Sequence, residues 1–67
     1  MSDTVTYSVP AIHCAHCALA IREEVSEVEG VEDVDVDLEA KVVTIRGVGL
    51  DDHELRAAIG EAGYEAA

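Results

Sequence analysis

Two cysteines, Cys14 and Cys17, stand in the stretch PAIHCAHCALAI, and each follows a histidine, His13 and His16. They are the only cysteines in the chain. Thiolates are soft ligands that suit Cu(I), Zn(II) and other thiophilic ions, and two thiolates match two-coordinate Cu(I). A closed zinc site takes four protein ligands, so here zinc would also need His13 or His16, solvent, or a second protein. The spacing therefore predicts a metal or redox site.

The N-terminal stretch predicts a cytoplasmic protein. MSDTVTYSVP has no basic region followed by an apolar run, so we expect no signal peptide. The longest uncharged run is interrupted by Pro10 and by the cysteines, so it is not a membrane span. In a reducing compartment, a cysteine pair indicates a metal or redox site rather than a structural disulfide.

The net charge is −11, from 15 acidic against four basic residues. This charge excludes nucleic acid and anionic membrane surfaces as expected partners, because phosphate would be repelled. Lys41 is the only lysine and there is no Phe, a composition that resembles proteins of salt-loving microbes. Salt of about 1 M shortens the screening length to about 3 Å and would suppress self-repulsion. An ordinary acidic surface that keeps a small protein soluble is the alternative.

The first half of the chain has the pattern of a strand followed by a helix. Apolar and polar residues alternate over residues 4–9, which predicts a strand that Pro10 ends. Apolar residues then recur in steps of three and four, which predicts an amphipathic helix over residues 15–28 with Gly30 as its C-terminal cap. Cys14 would lie in the loop before this helix and Cys17 in its first turn.

The middle of the chain predicts a hairpin. Val34, Val36 and Leu38 alternate with aspartates, which indicates a strand with one face in the core and one in water. Residues 39–41 form the reversal and residues 42–46 the return strand. We interpret the acidic residues between 32 and 39 as a solvated face rather than as a hard-cation site.

The last part of the chain predicts a second helix and a very short final strand. Asp51 and Glu54 have capping-box spacing, and His53 between them is expected on the surface. The helix ends before Gly63, and residues 64–66 leave room for only a short strand. The apolar stripe of this helix is Leu55, Ala58, Ile59 and Ala62.

The element order β-α-β-β-α-β is the ferredoxin-like pattern, an α+β fold. We expect one domain over residues 1–67, with a four-stranded antiparallel sheet and two helices on one face. The two cysteines would lie on either side of the start of the first helix, where free N–H groups and the positive helix end favour thiolate over thiol. His16 lies between the cysteines and is expected to point outward.

In this setting VPAIHCAHC resembles the metal-binding motif of the heavy-metal-associated domain family, and in particular the small soluble prokaryotic copper chaperones. The resemblance covers nearly the whole chain and includes Gly30-Val31 and Ala62-Gly63-Tyr64. It implies Cu(I) binding by Cys14 and Cys17. It also implies delivery by thiolate ligand exchange to a copper-transporting P-type ATPase or a copper-responsive regulator.

The resemblance places a tyrosine, here Tyr64, near the site, where its hydroxyl can tune a cysteine sulfur. The chain departs from the family at Ala11-Ile12, where the family has Gly-Met. The family methionine lies in the core, and Ile12 can fill that role. His13 stands where zinc-transporting relatives often carry an acid, which favours Cu(I).

Alternatives stay open at this point. The site suits Zn(II), Cd(II) or Hg(II) as well as Cu(I), with His13, His16 or Tyr64 as auxiliary or neighbouring groups. The protein would be a carrier and not an enzyme, a monomer without metal, although an exposed two-thiolate site also allows a metal-bridged homodimer. A thiol-disulfide oxidoreductase is the alternative of another class, and an interaction module with incidental cysteines is a third.

Overall fold

The computed structural model describes residues 2–67, which form three strands and two helices. The helix around the cysteines starts where the periodicity predicts and ends at Ser26, two residues before the predicted end. The N–H of Val28 donates to the carbonyl of Val25 at 3.0 Å, so the chain makes a tighter turn directly after the helix. The elements are β1 (Asp3–Ser8), α1 (Ala15–Ser26), β2 (Val31–Asp37), β3 (Val42–Gly47) and α2 (Asp52–Glu61).

The sheet is antiparallel, with β3 between β1 and β2. Val5 of β1 and Val34 of β2 both lie opposite Ile45, and Tyr7 lies opposite Val43. Since side chains alternate along a strand, these residues form apolar rows on one face. Threonines of β1 and aspartates of β2 are exposed on the other face.

Both helices cover the apolar face of the sheet. Ile21 and Val25 of α1, and Leu55 and Ile59 of α2, have no exposed surface. Each pair is four residues apart, so both members lie on the same side of their helix. These side chains join the strand residues in one buried cluster. In the described residues, neither helix is both long and apolar enough to cross a bilayer.

The predicted fourth strand over residues 64–66 is wrong, because the sheet within residues 2–67 has three strands. The segment nevertheless has a strand-like alternation, with Tyr64 and Ala66 half-buried and Glu65 exposed. The N–H of Ala67 donates to the carbonyl of Ser8 at 2.7 Å. A strand pair needs successive backbone bonds, and one bond at the last residue does not make a ladder.

Leu38 does not face the core as predicted, since 39% of its surface is exposed. The strand β2 ends one residue earlier, at Asp37. The Asp37 carboxylate accepts hydrogen bonds from the N–H groups of Glu39 and Ala40 at 2.9 and 3.0 Å. This Asx-type turn starts the reversal at Leu38, and Lys41 completes it with a φ of +58°.

Candidate metal centre

The two cysteine sulfurs lie side by side at the start of α1. Cys14 is the N-cap residue, with an extended backbone and no side-chain capping hydrogen bond. Cys17 lies in the first turn, and the two Sγ atoms are 3.0 Å apart as free thiols. The first turn contains no acidic residue. The positive end of the helix therefore acts on the sulfurs without a nearby opposing carboxylate.

The two sulfurs differ in their freedom to move. Cys17 is 5% exposed and belongs to the buried cluster, whereas Cys14 is half-buried and lies in the loop before the helix. A metal–thiolate bond is about 2.3 Å long for zinc, so two sulfurs that share one ion lie roughly 4 Å apart. Because the core holds Cys17, Cys14 is the side chain that can move outward to make this room.

The pKa of Cys17 is lowered from 9.0 to about 7. The largest cause is the hydrogen bond that the Tyr64 hydroxyl can donate to the Cys17 thiolate, followed by the one from Cys14. His13 lowers the pKa further, while burial opposes the change. The same contact raises the pKa of Tyr64. A substantial fraction of Cys17 is therefore thiolate, the form that binds metal, near neutral pH.

A Schellman motif at the end of α2 brings the Tyr64 side chain beside Cys17. Gly63 has a φ of +93°, a conformation that favours glycine. The N–H of Gly63 donates to Gly60 at 2.9 Å, and the N–H of Tyr64 donates to Ile59 at 3.2 Å. The chain reverses sharply, and Tyr64 lies beside Cys17, where the family resemblance expects it.

The structure brings only one of the two histidines to the sulfurs. In residues 2–67, His13, Cys14 and Cys17 form a group whose donor atoms all lie within 4.8 Å of one another. Nδ1 of His13 lies 2.8 Å from the carbonyl of Ala11. If Nδ1 carries the proton that it donates there, Nε2 keeps a lone pair, the arrangement common for metal-binding histidines.

His16 is exposed and lies outside that group. Adjacent helix positions do not face each other, so His16 points away from its neighbour Cys17. Ile12 is fully buried, as the resemblance predicts, and Ala11 is exposed.

The fold and the site together define a small ferredoxin-like domain that presents two thiols at a helix start, a site type suited to soft metal ions. The profile of the heavy-metal-associated domain matches residues 6–65. The chain belongs to the heavy-metal-associated domain family, whose members bind soft metal ions through cysteines.

Two relatives are similar to this chain in sequence over nearly its whole length. The mercuric transport protein periplasmic component of Pseudomonas aeruginosa is 40% identical over 65 residues, which are 94% of this chain and 71% of that protein. Heavy metal-associated isoprenylated plant protein 31 of Arabidopsis thaliana is 38% identical over 66 residues, 98% of this chain. The chain spans only 47% of that plant protein's length.

Solved structures share the fold over nearly the whole of this chain. Oxidized MerP from Ralstonia metallidurans CH34 has a TM-score of 0.88 at 32% identity, covering 100% of this chain and 96% of that one. The putative copper-ion-binding protein from Bacillus anthracis has a TM-score of 0.89 at 29% identity, and the match covers 100% of this chain and 97% of that one. An N-terminal domain of a potential copper-translocating P-type ATPase from Bacillus subtilis has the same fold, with a TM-score of 0.90 at 24% identity and a coverage of 98% and 85%.

Proposed function

We propose that this chain is a cytoplasmic Cu(I) carrier with one domain over residues 1–67, and not an enzyme. The observation that supports this most is the pair of free sulfurs of Cys14 and Cys17, 3.0 Å apart at the start of α1. Two thiolates are enough for Cu(I), which accepts two soft ligands. The similarity to the Bacillus anthracis protein also favours copper. The ion is the cargo of the protein.

The unequal burial of the two sulfurs supports transfer by ligand exchange. A partner thiolate would first bond to the ion as the bond to half-buried Cys14 breaks, and a second exchange would release the ion from Cys17. Each step forms one metal–sulfur bond and breaks one, so the copper stays Cu(I) throughout. We propose a copper-transporting P-type ATPase or a copper-responsive regulator as the partner, since the same fold occurs in the ATPase domain from Bacillus subtilis.

The first experiment is an anaerobic Cu(I) titration against a chromophoric chelator, at low salt and at molar salt. We expect one Cu(I) per chain, or per metal-bridged dimer, and complete loss of this binding in Cys14→Ser/Cys17→Ser. His16→Ala serves as the control, because His16 lies outside the sulfur group. The copper proposal fails if the chelator keeps the ion or if the double variant binds as tightly as the wild type.

Hg(II) is the second candidate, because of the 40% identity to the mercuric transport protein. Titrations of Hg(II), Zn(II) and Cd(II) in parallel rank the ions. We expect His13→Ala to weaken Zn(II) more than Cu(I), because a tetrahedral ion needs donors beyond two thiolates. An insulin-reduction assay tests the oxidoreductase alternative, and disulfide exchange without tight metal binding would support that class.

A further inference from the structure

A shallow groove of about 350 Å³ runs between α1 and α2, on a surface that the metal site does not use. Its floor contains Val28, Ala57 and Ala58. Ala58 is buried and Val28 half-buried, but Ala57 is exposed. We call this surface the glutamate groove, because its rim consists of Glu24, Glu27, Glu29, Glu54 and Glu61.

The rim carries five carboxylates and no basic residue lines the groove. In residues 2–67, the one salt bridge joins Arg56 to Asp52, so no intramolecular salt bridge neutralises the rim. The groove is therefore an apolar floor surrounded by unpaired negative charge. Such a surface is complementary to an apolar stripe flanked by Lys or Arg.

Three of the five carboxylates stand at the C-terminal ends of helices, where a negative charge reduces the stability of the protein. Glu24 lies in the last turn of α1, Glu27 is its C-cap residue, and Glu61 ends α2. The C-terminal end of a helix carries partial negative charge, and neither helix has a basic residue in its last turn. A cation supplied by a partner would relieve both the mutual repulsion and the unfavourable contact with the helix ends.

The two helices that line the groove favour a helix as its occupant. Neither α1 nor α2 offers a strand edge, so an extended peptide would find no ladder of backbone groups to pair with here. A third helix can place an apolar stripe between two helices. We propose that the glutamate groove binds an amphipathic helix of a partner protein, with its apolar stripe on Val28, Ala57 and Ala58 and its Lys or Arg side chains beside the glutamates.

This interaction does not depend on the proposed metal function. Among the rim residues within α1, Glu24 lies seven residues after Cys17, a separation of about 10 Å along the helix. A partner can therefore hold the chain by the groove while the sulfurs stay accessible. A groove of about 350 Å³ offers a small contact, and small contacts are typical of weak and transient complexes.

The test is an NMR titration of the metal-free full chain with a synthetic peptide of about 18 residues, roughly five helical turns. One peptide carries Leu along one face and Lys on both flanks. The other has the same composition in an order that breaks the stripe. We expect the first peptide to shift the amide signals of residues 24–29 and 54–61. Equal binding of the two peptides, or shifts confined to the sheet face, would overturn the proposal.

Two variants with the same loss of charge make the test specific. Glu24→Gln/Glu27→Gln/Glu61→Gln removes three of the five negative charges of the groove rim. Asp33→Asn/Asp35→Asn/Glu39→Gln removes three negative charges from the sheet side and its turn. We expect the groove variant to raise the dissociation constant about tenfold, from three rim contacts of typical surface strength. The sheet variant should stay close to the wild type.

Equal weakening in both triple variants would show that only the net charge matters, and would overturn the proposal. Folding of the groove variant is checked by circular dichroism. Its stability should not fall, because the three replaced carboxylates stand at helix C-termini. The peptide carries no thiol, so the outcome is separate from metal binding.

Discussion

Replacement of Tyr64 by Phe removes one hydroxyl beside Cys17 and keeps the ring that packs against the core. The Tyr64 hydroxyl is the largest of several causes that lower the pKa of Cys17 from 9.0 to about 7. Its share of that lowering is on the order of one pH unit. We therefore expect Tyr64→Phe to raise the pKa of Cys17 to about 8.

This change has a defined effect on metal binding. At pH 7 the thiolate fraction of Cys17 would fall from about one half to about one tenth. Metal binding must displace the thiol proton, and a higher pKa keeps that proton on sulfur up to a higher pH. The loss of apparent metal affinity in the variant should therefore be largest at pH values below the pKa of its Cys17. This loss should disappear at pH values well above that pKa.

The assay follows the cysteine Cβ chemical shifts of reduced, metal-free protein against pH. Since the two sulfurs are in contact, they titrate as a pair, and the lower apparent pKa of the pair is compared. Tyr7→Phe is the matched control, because the Tyr7 hydroxyl bonds to Asp52 at 2.5 Å and not to sulfur. An unchanged pKa in Tyr64→Phe, or an equal change in Tyr7→Phe, would refute the assigned cause.

Two further predictions concern stability. Ile21→Ala should lower the free energy of unfolding by about 3 kcal/mol, because Ile21 is fully buried. Leu19→Ala on the same helix should change it little, since Leu19 is 54% exposed; similar losses in urea unfolding would contradict this packing. We also predict that metal-free protein gains thermal stability from dilute buffer to molar KCl, because a net charge of −11 is screened. A flat or falling melting temperature would argue against the salt-adapted interpretation.

Periodicity in the sequence was sufficient to predict α1, α2 and the strands β1, β2 and β3. Each has a repeat of apolar residues that is visible within its own segment, as at Ile21 and Val25. The position of Cys14 and Cys17 at a helix start followed from the same pattern. The approach of Tyr64 to the sulfurs came only from the resemblance to the family, because 47 residues separate it from Cys17 along the chain.

Two predictions were wrong, the core position of Leu38 and the strand over residues 64–66. In both places a single turn or backbone hydrogen bond decides where a strand ends or whether it forms. Alternation continues through Leu38, but the Asp37 carboxylate bonds to the following N–H groups and ends the strand first. Alternation also continues over residues 64–66, but only Ala67 makes a backbone bond to β1. The hydrophobic pattern is the same whether or not these bonds form, so it could not reveal them.

The sequence by itself determined the two helices, the three strands of the sheet, the acidic charge and the pairing of two thiols at a helix start. Each of these depends on neighbours within a few residues. Only the tertiary structure decided that His13 rather than His16 joins the sulfurs, and that Tyr7 bonds to Asp52, 45 residues away. It also placed glutamates from two helices around one groove. Such contacts depend on how packed elements meet in space, which spacing along the chain does not encode.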